Sequence, residues 1–518
     1  MVFVAMLSSH NRIFLIPLDH RPVCYAMPKL LADAMGITLH TPSTNLLGKL
    51  KTPANFNALY RWAKNHLFEK EPLIIALDTV AYGGLIPSRI NNDSLEDLKK
   101  RINKFFSTMT VSSCYAFSSI LRIPNYNNAE EEPDYWQTYG KALYQYSWQK
   151  HSSAINAETV ATVKNKMPEP FFIPEPVLAD FIGRREKNFA LNHYFMQLLC
   201  AGKISYLTYG QDDTGEYGLN VMEAKSLEKS LQENNRMAVS QLKTGMDELA
   251  VCMLARWAMM QTNNTISVYP FYTKPETQDC IAKFDGKPVS DVVKEAIETC
   301  GASLSQSSEE ADLWLVVHTP QENVQLDHAG FSQSQITEHL AEARVKQKSV
   351  IAETIGHIRK TLSSGQPVAI ADVAYANGAD PILIDNLVSQ FNDLTGIYGY
   401  AGWNTPGNTI GSALAIGLVR LIAERQKTFS ATPFCKLLLT RFADDWLYQS
   451  VNRYHIKARI DAGEFPPQFQ NGSGLHTALN ALMADGTALL KNRLGLEQTN
   501  LSFTFPCNRL FEIDVVFD

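Results

Sequence analysis

The decapeptide YGQDDTGEYG, residues 209–218, sets Asp212, Asp213 and Glu216 within five positions, directly after the apolar run 204–208. Two adjacent carboxyls oppose each other's ionisation, so in a partly desolvated loop one is driven toward the protonated form while the other stays charged. Glycoside hydrolysis needs that division: one acid protonates the leaving oxygen, and one carboxylate acts as nucleophile, base or orienter. Consecutive residues leaving a strand point in opposite directions, which makes a two-carboxylate displacement awkward. Substrate-assisted cleavage fits better, with one acid orienting an N-acetyl group; alternatively, one of the pair works with a distant acid such as Asp78 or Asp372. The plain structural reading is a strand-to-helix turn with a solvated acidic cap, in which Glu216 caps the following helix.

Four other motifs carry groups suited to a small polar ligand. IPLDHRPVCY (16–25) ends an apolar run with Asp19, His20 and Arg21, where Arg21 either grips a substrate oxygen or pairs with Asp19. ALDTVAYGGLIPSR (76–89) offers Asp78 as a hydroxyl or metal ligand, or as a helix N-cap, and Tyr82 just before Gly83-Gly84. It contains neither GxGxxG nor GxxxxGK, so it is no phosphate loop. DVAYANGADP (372–381) and GWNTPGNTIGSALA (402–415) supply Asp372, Asn377, Trp403 and Asn404. An indole beside an amide suits a sugar, which has a C–H face to stack and an edge of hydroxyls to bond. Arg122 follows a further run, CYAFSSI.

Asp19, His20, Asp78, His318 and Asp372 are metal-ligand types, but no HxH, HExxH or DxD fixes two of them at a known spacing. The leading reading therefore has no metal and no cofactor. There is no GxSxG elbow, and no cysteine stands in a recognisable Cys/His context.

These groups share one position: the end of a short apolar run. IFLIPL, ITLH, LIIAL, CYAFSSI, ISYLTY, ISVYPF, LWLVVH, VAIADV and IYGYAG read as buried strands, alternating with helical stretches such as 93–106, 222–260 and 381–391. The alternation predicts an α/β fold, mainly parallel: a (β/α)-barrel-like catalytic domain over 1–425 with an insertion near 125–200, closed by a helix-rich segment over 426–518 that ends in the strand LFEIDVVFD. Several Rossmann-like layers are the alternative. Either fold gathers chemistry beyond the carboxyl ends of its strands.

Composition narrows the partners. Across 518 residues, 47 Lys+Arg against 53 Asp+Glu give a net charge of -6, so there is no basic surplus for nucleic acid or an anionic membrane. No run approaches ~18 apolar residues. The eight cysteines are scattered without a CxxC pair, as expected of reduced thiols, and the start MVFVAMLSSHNRIF lacks a basic n-region. A cytoplasmic protein with a small-molecule or oligosaccharide substrate is expected; no oligomeric state follows.

Eight ordered motifs, IPLDHRPV, LLGKLKTP, LDTVAYGGLIPSR, FIGRREKN, YGQDDTGEYG, DVAYANGADP, GWNTPGNTIGSALA and PCNRLFEID, resemble the bacterial family called domain of unknown function 4127, from about residue 13 to the C-terminus. The resemblance implies that these strand ends form one functional unit and supplies no activity. The leading expectation is a glycoside hydrolase acting on a small or N-acetylamino-sugar-bearing glycan, with Asp212 and Asp213 catalytic. Asp19, Arg21, Asp78, Tyr82, Arg122, Asp372, Asn377, Trp403 and Asn404 would line its pocket. The alternatives are a metal-dependent hydrolase using Asp19, His20, Asp78 and His318, and a non-catalytic sugar-binding protein.

Overall fold

The computed structural model describes residues 12–68, 70–155, 172–262, 265–320, 325–327, 333–465 and 474–518. The first eleven residues of the chain, and part of the expected insertion, lie outside them.

The apolar runs form two separate parallel sheets. The first contains β1 (Arg12–Ile16), β2 (Thr38–His40), β3 (Leu73–Ala76), β4 (Cys114–Ile120), β5 (Tyr206–Gln211) and β6 (Ser240–Thr244), in the order β2-β1-β3-β4-β5-β6. In the second, β7 (Ser267–Tyr272), β8 (Ser303–Leu304), β9 (Leu313–His318), β11 (Val368–Asp372) and β13 (Gly399–Ala401) are ordered β13-β11-β9-β7-β8. Each sheet starts with a strand, places the next to one side, then crosses back and grows the other way, which is the doubly wound pattern. The barrel expectation is thereby corrected. Neither sheet closes; β2 and β6 are free edges of one, β8 and β13 of the other. Two smaller pairs complete the sheets: β10 (Leu326–Asp327) lies parallel to β12 (Tyr375–Ala376), and β14 (Leu501–Thr504) antiparallel to β15 (Asp514–Phe517).

The stretch 222–260, expected to be helical, is broken in the middle. Helix Leu219–Glu233 stops at Asn234 and Asn235, the latter at φ 54, a left-handed stop that asparagine tolerates. The chain then forms β6 and, after Gly245 at φ 102, helix Leu249–Thr262. SQLKT hides as a strand because it lies at an edge and is polar at four of its five positions rather than an apolar run. Its lysine, Lys243, is fully buried and donates to Glu248, to Thr244 O at 2.6 Å and to Gly407 O at 3.1 Å.

Helix Leu249–Thr262 packs on β3 and β4 and meets helix Pro406–Gln426, which crosses β11 and β13, so one core runs from sheet to sheet. Among the described residues Pro406–Gln426 is the one helix long and apolar enough to cross a membrane, and it is wholly buried here. Its glycines permit the close approach. A Cβ on Gly407 would stand 2.5 Å from Thr244 O. Gly407→Ala should therefore lower the melting temperature by several degrees, the usual outcome of overpacking by about 1–3 kcal/mol, which a thermal-shift scan would register.

Beyond residue 430 the chain is helical, through Ala431–Arg441, a π-helix Phe442–Asn452, Arg453–Asp461 and Leu475–Arg493, before the β14–β15 hairpin.

Candidate active-site cleft

The carboxyl ends of the two sheets face a shared cleft of about 450 Å³. From the first sheet come Arg21 beyond β1, Arg122 beyond β4, Asp212 and Asp213 beyond β5, and Asp247 beyond β6; from the second come Asn377 and Asn404. Tyr126, Tyr144, Tyr217, Phe284 and Phe511 supply aromatic wall. The helix Trp136–Ile155 and the C-terminal hairpin connection thus both reach the cleft, through Tyr144 and Phe511.

Asp212 and Asp213 answer to different guanidiniums. Arg89 donates to Asp212 Oδ2 at 2.6 Å, and Arg122 to Asp213 Oδ2 at 2.9 Å. Glu131 joins the two arginines, accepting from each at 2.8 Å and also from Arg509, while Glu132 accepts from Arg122 Nε at 2.8 Å. Burial pushes the Asp213 carboxyl up; Arg122 pulls it back and Asp212 pushes again, leaving it raised to about 6. Burial also works against ionised Glu131, but Arg122, Arg89 and Arg509 overcome it and hold that carboxyl well below its ordinary value.

A second ion cluster lies at the join of the halves. Arg21 spans Asp19, with Nε at 2.9 and 3.0 Å, and Asp247, at 2.6 and 3.1 Å. Asn404 Nδ2 donates to Asp247 at 3.0 Å, and Asn408 Oδ1 accepts the Met246 and Asp247 amides. Burial alone would raise Asp19, yet Arg21 lowers it below the usual carboxylate range. Asp19 itself sits beneath the cleft as Arg21's counter-ion.

Backbone strain collects here. Nine described non-glycine residues have left-handed φ, and four of them, Asp213 (35°), Phe284 (71°), Asn377 (57°) and Asn404 (71°), line this one cleft. Such conformations cost on the order of 1–3 kcal/mol and cluster at functional sites. Asn377 and Asn404 brace each other through Asn377 N to Asn404 O at 3.0 Å.

Of the expected pocket residues, Arg21, Arg122, Asp212, Asp213, Asn377 and Asn404 converge on the cleft, and four others turn inward. Asp78 is fully buried, accepting from Ser119 Oγ at 2.6 Å and Ser119 N at 2.9 Å, and burial raises it to about 6 despite those bonds. Tyr82 is buried under the first sheet's end. Asp372 accepts the Asp380 amide at 2.7 Å and is pushed by burial to about 7. Trp403 packs edge-on to Phe511, ring centres 5.4 Å apart, so it backs the wall without forming it. These four lie outside the cleft wall: Asp78 bonds the neighbouring strand β4, Asp372 bonds the turn beyond its own strand, and Tyr82 and Trp403 pack into the core.

The proposed metal ligands do not meet. His318 Nε2 pairs with Asp380 at 2.9 Å inside the second sheet, whereas His20 bonds Gly48 O at 2.9 Å in the first. Among the described residues no group of three His, Cys, Asp or Glu is set to hold a metal. His20 does stand 3.5 Å from Cys507, a Cys/His pair hidden by 487 positions of sequence, and burial raises that thiol to about 12. Glu216 is an exposed cleft residue, not a cap: Ser147 Oγ accepts from Leu219 N at 2.8 Å and His151 Nδ1 from Gly218 N at 3.0 Å. Sequence reasoning missed Arg89, Glu131 and Asp247. Arg89 closes a motif already singled out, and Asp247 follows the strand that went unrecognised.

Fold and site together define an open, doubly wound α/β protein with a carboxylate–guanidinium cleft between two sheets. The family model described as "Protein of unknown function (DUF4127)" matches residues 13–516, and the chain belongs to that family. Nothing among the curated proteins or the solved structures matches it.

Proposed function

We propose that the protein is a glycoside hydrolase acting on a small or N-acetylamino-sugar-bearing glycan, with Asp213 as the general acid and Asp212 as its charged partner. One observation carries the reading: adjacent carboxyls on a post-strand loop face a single cleft, and each is held by its own arginine. Separate guanidiniums let the two differ in protonation, and amides with aromatic rings around them offer the bonds and stacking a sugar ring takes.

In the reaction Asp213 gives its proton to the glycosidic oxygen as the C–O bond breaks. Asp212 faces the positive charge growing at the anomeric carbon, or orients an N-acetyl oxygen that attacks it. Water then completes hydrolysis and returns the proton to Asp213.

Screening aryl glycosides, including N-acetylhexosaminides, tests the reading by release of the aryl alcohol. Since Asp213 must be protonated and its carboxyl is raised to about 6, kcat/KM should fall as pH rises through that value. A rate flat across that range in an active preparation would remove Asp213 as the acid, and saturable sugar binding without turnover of any glycoside would favour a non-catalytic binding protein.

A further inference from the structure

Residues 284–286 concentrate unfavourable features that the reaction above does not use. Phe284 has φ 71 and Gly286 φ 66, and between them Asp285 is buried, its carboxyl near Lys243 and the Gly407 amide yet without a hydrogen bond of good geometry. Burial accordingly pushes the Asp285 carboxyl well above its ordinary value. Left-handed backbone at Phe284 and the buried acid beside it each carry a cost, whereas Gly286 takes its positive φ freely, so the first two call for a compensating role.

The neighbours of this strap supply one. Thr214 N, next to Asp213, donates to Phe284 O at 2.6 Å. An added Cβ on Gly286 would run into the carbonyl of Gly215, so the two backbones lie against each other. The strap follows β7 and belongs to the second half of the chain; the loop it touches follows β5 in the first. Ile281 and Pro288 bridge its base, and Gln325 Oε1 accepts from Lys283 N at 2.9 Å, which anchors it to the second half.

We infer that residues 284–286 form a positioning strap, reaching across from the second half to hold the Asp213–Gly215 backbone so that the Asp213 carboxyl stays in the cleft wall. Phe284 provides the acceptor and Gly286 the close approach. Asp285 lies between them, and the cost of burying it is one that the strap's contacts must offset. The inference rests on the reading of Asp213 as the acid, and its test needs no substrate.

Site-resolved carbodiimide labelling, read by tandem mass spectrometry from about pH 4 to about pH 8, follows protonation of Asp213 in the intact chain. The wild-type midpoint is expected near 6. Gly286→Ala should push the strap off the loop, let more water reach Asp213 and lower the midpoint by roughly a unit or more. Gly365→Ala adds the same backbone penalty at φ 77 with nothing within 4 Å of its Cβ, and should leave the midpoint where it was. Gln325→Ala, which removes the acceptor that anchors Lys283 N, should shift it in the same direction as Gly286→Ala, and serves if that variant does not fold. A folded Gly286→Ala or Gln325→Ala protein with the wild-type midpoint overturns the strap. A wild-type midpoint near 4 would instead remove Asp213 as the acid.

Discussion

Asp213→Asn should lower kcat by roughly 10²–10⁴-fold while KM moves little, the loss expected when a positioned general acid is removed. Asparagine keeps an oxygen for Arg122 Nη1, which lies 2.9 Å from Asp213 Oδ2, but has no proton to give the leaving group. The fold should survive, because the substitution removes a carboxyl whose burial already disfavours its charge. Steady-state kinetics on the best aryl glycoside, with circular dichroism alongside, would measure both halves of the expectation. Turnover within a few-fold of wild type would place the acid elsewhere. A more acidic leaving group should recover part of the lost rate, since it departs without protonation.

Arg21→Ala should be the most destabilising single change in the cleft, by about 3–5 kcal/mol. The side chain is almost fully buried and neutralises two carboxylates at once, Asp19 and Asp247, each 6% exposed. Removing the guanidinium leaves both acids in low dielectric with only neutral donors, the residue-21 amide on Asp19 and Asn404 on Asp247, to offset their desolvation. The pH dependence gives the effect a signature. With Arg21 present, Asp19 is held below its unfolded value, so its contribution to stability exists above that value and is lost as pH falls through the folded one. Asp247 stays above its ordinary value even beside Arg21, and without the guanidinium both carboxyls rise, so acidification should narrow the variant's stability deficit. Denaturant melts at mildly acidic and neutral pH would expose the contrast; a deficit equal at both would mean that packing, not charge, is what Arg21 provides. Lysine is a poor substitute, since the fork geometry on two carboxylates is what arginine contributes.

Much of this was legible in the sequence because burial and periodicity leave marks. CYAFSSI is β4 residue for residue, and the other apolar runs each contain a strand. What periodicity conveys is that strands alternate with helices. It does not convey which strand neighbours which, and the difference between a closed barrel and two open sheets is entirely one of neighbours. The acid pair was legible because two adjacent carboxyls after a strand are chemically conspicuous. Asp78 and Asp372 looked equally conspicuous, yet Asp78 turns onto the neighbouring strand at Ser119 and Asp372 onto the turn beyond its own strand at Asp380. Only the direction of the side chain separates the two cases. Asp247 was invisible for a different reason: SQLKT, with a buried lysine neutralised by Glu248, reads as the surface of a helix.

The hydrogen bond from Asn404 to Asp247 ties the second sheet's end to the first, and the cleft is what lies between. A molecule held there touches both halves, so its binding free energy contains a share of their docking free energy. By linkage the dependence is mutual: an occupant that bridges the halves must strengthen their union by as much as that union favours the occupant. The cleft is therefore a property of the assembled chain, and neither half taken alone would possess it.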